Sequence, residues 1–435
     1  MDHQTHQGPA RVEAREKDTP GLNAKPVQDQ WNVRRQSNIL RDDVTLPEET
    51  VALRAEARAF AESVLAPIAH ELNCTPESPD GFRHDVFRAM AEADLFAVPF
   101  AKDVGGRGLQ YPTLAALTVL EEIAYFSPGV ASAMYDAHIL LVGTVLDTAG
   151  GYLRKVYLPR LIRGAFVGCF ATSEPGASTD LSVESIETVA EPAPGGWNIN
   201  GRKRWITNAP VGEHVVLLCR TGQSLSLLFA DMRHDGVEVA DPDLKMGNHA
   251  QLTADITFRD VFVPDNHVIG DVGAGLRGAL GALALGRMGI GAVGVAMAQR
   301  ALDLAVAYTQ KRHVYGRPIA TNQHWQFRFA EHALEIEAAR LLCQKAALLT
   351  DRGGQPDVLP AMAKVKGSAL AVDVARDAVQ CCGGYGFVKT LVGAGEHWPF
   401  ESIYRDTKVG EIYEGANEIQ KWIIARSIFG RAITG

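Results

Sequence analysis

The sequence predicts a mainly α-helical chain with a β-domain in its middle. Three observations carry this. Apolar residues recur at helical spacing from about Leu46 to Ala165, strand-like runs fill the stretch from about Phe166 to Asp271, and longer helical segments follow from about Gly275. With 435 residues, 46% hydrophobic and 22% charged, the chain can bury a large core without disulfides or metals. The expected division is an arm over 1–44, a helical domain over 45–165, a β-domain over 166–274 and a four-helix bundle over 275–435.

The arm has no apolar h-region and mixes acids with bases, so it reads as a flexible segment rather than a leader. LPEETVALRAEARAFAESVLAPIAHEL is the first helix, with Thr45 as its cap. FRHDVFRAMAEADLF is the second, ended by Val104-Gly105-Gly106. YPTLAALTVLEEIAYFSPGVASAMYDAHILLVGTVL reads as two helices parted near Ser127-Pro128-Gly129. In GWNINGRKRWI, Asn200-Gly201 is a favoured two-residue hairpin turn. HVVLLCR, SLSLLFADM and ADITFRDVFVP are further strands. Four helices then follow one another, as in a bundle. In the second, Phe327, Ala330, Leu334, Ala338 and Leu341 share one apolar face; Gly353-Gly354 stops it, and Gly383-Gly384 stops the third.

Composition excludes several function classes. A net charge of −8 disfavours nucleic acid as a partner. The six cysteines form no CxxC and no Cys/His array, so no metal is expected and reduced thiols in a cytoplasmic protein are. No uninterrupted apolar run of about 18–20 residues stands out, so no membrane span is expected. GxGxxG after an early strand, a P-loop, HExxH and GxSxG are all missing.

Seven motifs remain: FATSEPGASTD (Phe170 to Asp180), RWITN (Arg204 to Asn208), KMG (Lys245 to Gly247), DVFVP (Asp260 to Pro264), RHVYGRPI (Arg312 to Ile319), DAVQCCGGYGF (Asp377 to Phe387) and IYEGANEIQ (Ile412 to Gln420). Taken singly each has a plain reading. SEPGAS is a polar turn whose backbone N–H groups can approach a ligand, or a simple surface turn. Trp205 is a core aromatic or a cofactor wall. Arg312 ends a helix, where a guanidinium meets the dipole or forks onto phosphate oxygens. Glu414 is a solvated charge or a general base. In this order and spacing, from about Leu46 to Arg431, the motifs resemble the acyl-CoA dehydrogenase family.

That resemblance implies bound FAD between the β-domain and the bundle, in a homotetramer built as a dimer of dimers. Glu414 would take the α-proton of an acyl-CoA thioester while the β-hydride passes to the flavin, giving a trans-2-enoyl product. Arg287 would be the active-site arginine, with Tyr413, Gly415 and Thr179 on the substrate side. Phe170, Ser173, Trp205, Thr207, Ala416 and Glu418 would line the flavin. Arg312, Gln380 and Gly384 match positions that reach FAD across a subunit boundary, and Tyr315 replaces the usual Phe and would retain its stacking on the cofactor. Some relatives carry their base just before the bundle arginine; here that position is Gly286, which leaves Glu414. Electrons would pass to an electron-transferring flavoprotein.

Departures fall on the CoA side, apart from one at a cofactor contact. Ala284 stands where Asp is common, His249 where Arg follows KMG-x, Val314 where Thr or Gln contacts the cofactor, and the stretch around Val388 to Trp398 is about seven residues longer than expected. A carrier-protein thioester, a flavin oxidase or desulfinase, and a cofactor-free assembly protein are the rival readings; retention of Glu414 argues against a monooxygenase. Met134 and Tyr135 fall near the pocket floor, and a tyrosine there would shorten the cavity and favour short, branched or ring-bearing acyl groups.

Overall fold

A computed structural model describes residues 33, 46–177, 179–354, 358–393 and 396–435. The arm therefore lies outside the described residues except for Val33, and so does Thr45. Helix α1 spans Glu48–Phe60, with Glu48 and Glu49 complementing the N-terminal dipole in its first turn. The single helix expected through Leu72 does not hold. The chain loosens to a π turn over Ala61–Leu65 and tightens over Ala66–Ile68, where Pro67 supplies no N–H, before resuming at Ala69–Cys74. Helices α2 (His84–Glu92), α3 (Pro112–Ala124) and α4 (Pro128–Ala149) complete this part. The expected break before α4 is present: Ser127 caps it, its Oγ accepting from Val130 N at 3.3 Å, and Pro128 follows at the first position. Within α4, Ala131–Gly143 is π-wound, far longer than the single-turn bulges usual for that geometry.

The β-domain is one twisted eight-stranded sheet. Its strands are β1 (Gly168–Ala171), β2 (Val189–Ala193), β3 (Gly196–Thr207), β4 (His214–Thr221), β5 (Ser224–Asp231), β6 (Val237–Val239), β7 (Thr253–Pro264) and β8 (Val268–Ile269). They run in the order β6-β7-β3-β2-β4-β5-β8, with β1 parallel to β4. Asn200-Gly201 is not the hairpin turn. Strand β3 runs through it with a register shift, and Asn200 instead exchanges hydrogen bonds with Asp260 on β7 at 2.9 Å. Gly201 is required there by crowding, since a Cβ would lie 2.5 Å from Thr188 Cα. Strand β4 is buried on both faces. Val215, Leu217 and Cys219 enter the sheet's own core, whereas Val216 and Leu218 join the helical core.

Helices α5 (Gly275–Lys311), α6 (Gln323–Asp351), α7 (Leu359–Cys382), α8 (Phe400–Thr407) and α9 (Asn417–Phe429) form the bundle. Helices α5 and α7 touch backbone to backbone: a Cβ on Gly367 would sit 2.3 Å from Gly291 O, and one on Gly294 would sit 2.4 Å from Gly367. On α6 the face buried within the chain is formed by Ile336, Ala339, Cys343 and Ala346. The stripe expected there is turned outward, with Phe327, Leu334 and Leu341 exposed. The membrane expectation also needs correcting. Helices α4 and α5 are long and apolar enough to cross a bilayer by length and composition, but 94% and 67% of their apolar windows are buried in the protein's own core.

Candidate active site

The loop from Tyr413 to Gly415 enters α9 through two consecutive left-handed residues, Glu414 at φ 55° and Gly415 at φ 86°. A non-glycine residue held so costs roughly 1–3 kcal/mol and persists only where its surroundings fix it. Here Arg287 Nε and Gln420 Nε2 donate to the Glu414 carbonyl at 3.3 and 3.4 Å, and Gln420 Nε2 donates to the Gly415 carbonyl at 3.0 Å. The Glu414 side chain meets Gly286 on α5. A Cβ at Gly286 would stand 2.9 Å from Glu414 Oε2 and 3.0 Å from Leu141 Cδ2. That Oε2 is buried without a hydrogen-bond partner, although the residue as a whole is only half-buried. Burial pushes the carboxyl up to about 7, against the opposing pull of Arg287 and Lys364. A carboxylate poised near neutrality and free of partners can act as a general base.

Lys364 is fully buried on α7, one turn before the Gly367 crossing, and donates to Asn417 Oδ1 at 2.8 Å. Burial lowers its ammonium to about 8. Neither Lys364 nor Gln420 was assigned a role from sequence. Nothing local marks Lys364, whose contact with Asn417 is tertiary, whereas Gln420 closes the IYEGANEIQ motif and folds back onto its own turn.

The β-domain docks beside this loop through α4. Asn208, left-handed at φ 68°, donates from Nδ2 to Ala133 O on α4 at 2.8 Å and to Gly168 O at the start of β1 at 3.2 Å. Ser132, next to Ala133, places its hydroxyl 3.1 Å from the Tyr413 hydroxyl. Thr207 and Glu414 are thus held to the same helix. The Thr207 hydroxyl accepts from Gln251 Nε2 at 3.0 Å, which leaves its own proton for another acceptor. Trp205 takes φ 56° and stays 64% exposed, its N–H donating to Asp255 Oδ1 at 3.3 Å. The SEPGAS turn lies alongside, since Ser173 O accepts from Arg204 N at 2.9 Å. It is anchored by a buried ion pair, Lys203 Nζ to Glu174 Oε1 at 2.7 Å, and Glu174 also accepts from Glu187 N at 2.6 Å and Thr188 N at 3.1 Å. Phe170 is buried beneath the turn, and Thr179 is exposed at its end.

A second group of residues lies elsewhere. Arg312 caps the far end of α5, and at 1.5 Å per residue that is about 39 Å from Gly286. Its guanidinium lies 5.6 Å from the Tyr385 ring. Tyr315 is wholly exposed at φ 51°, and Gln380 and Gly384 are exposed at the end of α7. The candidate residues thus fall into two groups within one chain: Phe170, Ser173, Trp205, Thr207, Arg287, Tyr413, Glu414, Gly415, Ala416 and Glu418 in one, and Arg312, Tyr315, Gln380 and Gly384 in the other.

Tyr135 is fully buried, and its neighbour Asp136 interacts electrostatically with Glu414. His249 does not stand alone for the missing arginine. Glu77 takes Lys245 Nζ at 2.8 Å and His249 Nδ1 at 2.9 Å, and Arg405 reaches Met246 O at 2.7 Å and His249 Nε2 at 3.0 Å, tying the KMG loop to α8.

Comparison with known proteins places this geometry. Residues 47–165, 169–261 and 273–429 match the models of the N-terminal, middle and C-terminal domains of acyl-CoA dehydrogenase. The chain is 33% identical to a mitochondrial short-chain specific acyl-CoA dehydrogenase of Rattus norvegicus, over 90% of this chain and 92% of that protein. It is equally 33% identical to a 3-(aryl)acrylate reductase of Clostridium sporogenes, over 88% and 98%. Butyryl-CoA dehydrogenase of Megasphaera elsdenii superposes with a TM-score of 0.82 at 27% identity, covering 89% of this chain and all of that one.

Proposed function

The chain belongs to the acyl-CoA dehydrogenase family, and on that premise we propose that Glu414 removes the α-proton of an acyl-CoA thioester as the β-hydride departs. FAD, when bound, supplies the hydride acceptor. The observation that carries the reading is the Glu414 carboxyl: buried, unpartnered at Oε2, raised to about 7 and pressed against a glycine. Its Oε2 is buried against α5, and burial is what raises the affinity of this carboxylate for a proton. Arg287 holds the Glu414 carbonyl, which fixes the direction of the side chain and of the Glu414 N–H that would polarise the thioester carbonyl.

The residues suit a flavin. Thr207 has a hydroxyl proton to offer, Trp205 a broad exposed face, and Phe170 and Ser173 flank them; Ala416 and Glu418 begin α9 on the same side. Arg312, Tyr315, Gln380 and Gly384 of a second copy would hold the diphosphate end, in a homodimer or a dimer of dimers. Thr179 would meet the CoA arm. An electron-transferring flavoprotein is the expected acceptor, in a cytoplasmic setting.

Anaerobic mixing of the flavin-loaded Glu414→Gln variant with butyryl-CoA tests the reading. Gln keeps the shape and cannot take the proton, so bleaching should slow by at least about 10²–10⁴-fold, the usual range for losing a general base. Bleaching at the wild-type rate would assign the base to another group.

A further inference from the structure

A second carboxylate stands beside Glu414. Asp136 is 3% exposed, its Oδ1 has no hydrogen-bond partner, and it interacts electrostatically with Glu414 and with Tyr413. Its seat repeats that of Glu414. A Cβ at Gly289 would lie 2.2 Å from Asp136 Oδ1, as one at Gly286 would crowd Glu414 Oε2. Positions 286 and 289 are one turn apart on α5 and share a face. The two carboxylates therefore lie in sequence along one glycine-lined edge of α5.

The contrast is with Asp303, which accepts from Tyr125 Oη at 2.8 Å and Gln299 Nε2 at 2.9 Å on its two oxygens and ties the fold together. Asp406 accepts from Asn248 N at 2.6 Å on Oδ1 and leaves its Oδ2 unpartnered. Asp136 is held in place with nothing at Oδ1, inside the π-wound stretch of α4 that also offers the Ser132 hydroxyl to Tyr413. Extended π winding is costly and collects at functional sites. A buried acceptor without a donor is costly too, and a ligand that brings the donor recovers that cost on binding.

We propose that Asp136 is the specificity-determining residue of the acyl site and selects acyl chains that carry a hydrogen-bond donor, a hydroxyl or an ammonium, beyond the reacting carbons. This rests on the dehydrogenation reading and narrows its substrate class. A plain alkyl chain would leave the carboxyl unsatisfied, and a carboxylate-tipped chain would bring a charge where burial already disfavours charge on both carboxyls.

The test compares kcat/KM for butyryl-CoA, γ-hydroxybutyryl-CoA, γ-aminobutyryl-CoA and glutaryl-CoA in the wild type, Asp136→Asn and Asp136→Leu. In the wild type at least one donor-bearing substrate should lead butyryl-CoA by about tenfold or more, the discrimination expected of a buried polar group left unpaired by the wrong ligand. Asp136→Leu should reverse that order. Asp136→Asn, which keeps the shape should the leucine variant fail to fold, should lose any ammonium preference and keep part of a hydroxyl preference. Butyryl-CoA or glutaryl-CoA turning over best in the wild type, or a donor preference that survives both substitutions, overturns the inference and leaves the dehydrogenase reading standing. Flavin bleaching by none of the four overturns both.

Discussion

Gly286 sets where the Glu414 carboxylate can lie. Adding a single methyl there places carbon 2.9 Å from Oε2, inside contact distance, with Leu141 blocking the other side. Gly286→Ala should therefore displace the base without unfolding α5, for which alanine is the better former. A displacement near 1 Å is enough to cost about 10²-fold in rate, so kcat should fall on that scale while flavin content holds; unchanged kcat would show that the base is not seated there. The same carboxyl should give kcat/KM a rise with pH. Its value of about 7 is raised above the ordinary one by burial, so the basic form is scarce below neutrality and accumulates through pH 7. Lys364 pulls in the other direction, favouring the charged form. Replacing it in Lys364→Met should move the rise to higher pH, and a shift downward would contradict the assigned interaction. Glu414 was legible in the sequence because it sits inside the IYEGANEIQ motif, and Gly286 because it directly precedes Arg287. Asp136 and Lys364 were not, because each acts through partners brought from distant parts of the chain.

Among the elements, the SEPGAS turn depends on the Glu174–Lys203 pair, whose side chains are 1% and 0% exposed. Breaking a buried pair by removing one partner typically costs about 3–5 kcal/mol, whereas replacing both with apolar groups is often neutral. Lys203→Met should thus lower the urea midpoint markedly and weaken flavin retention, and Glu174→Leu combined with Lys203→Met should recover much of the stability. If the single variant unfolds at the wild-type midpoint, the turn is held by its backbone bonds alone. Element type was largely readable here: the β4, β5 and β7 runs and all four long bundle helices follow from periodicity. Where a segment sits was less so. Asn200-Gly201 has the composition of a turn, yet its neighbours on β2 and β7 extend the strand through it, and the apolar stripe of α6 was visible without any sign that Phe327, Leu334 and Leu341 turn outward.

At the scale of the whole molecule, the separation of the two candidate groups makes the sharpest demand. Glu414 packs on Gly286 of α5, and Arg312 ends that helix about 39 Å further on by helical rise. The stripe of Phe327, Leu334 and Leu341 on α6 is exposed, and a second copy would find an apolar surface there. In a two-fold dimer each complete site would take Glu414 from one chain and Arg312 from its partner. Glu414→Gln alone should abolish turnover at every site, and Arg312→Glu alone should expel the cofactor from every site by placing an anion against its diphosphate. Co-expressed, the two inactive variants should form mixed dimers in which one site inherits both defects and the other inherits none. Random pairing would then restore about a quarter of the wild-type sites, since half the dimers are mixed and each has one intact site. The measurement is flavin content together with turnover of the co-purified mixture, against the separately purified variants combined after folding. A site complete within one chain has no route to that recovery, because every chain in the mixture carries a disabling substitution, so an inactive co-expressed mixture that light scattering shows to contain mixed dimers would overturn the shared-site arrangement.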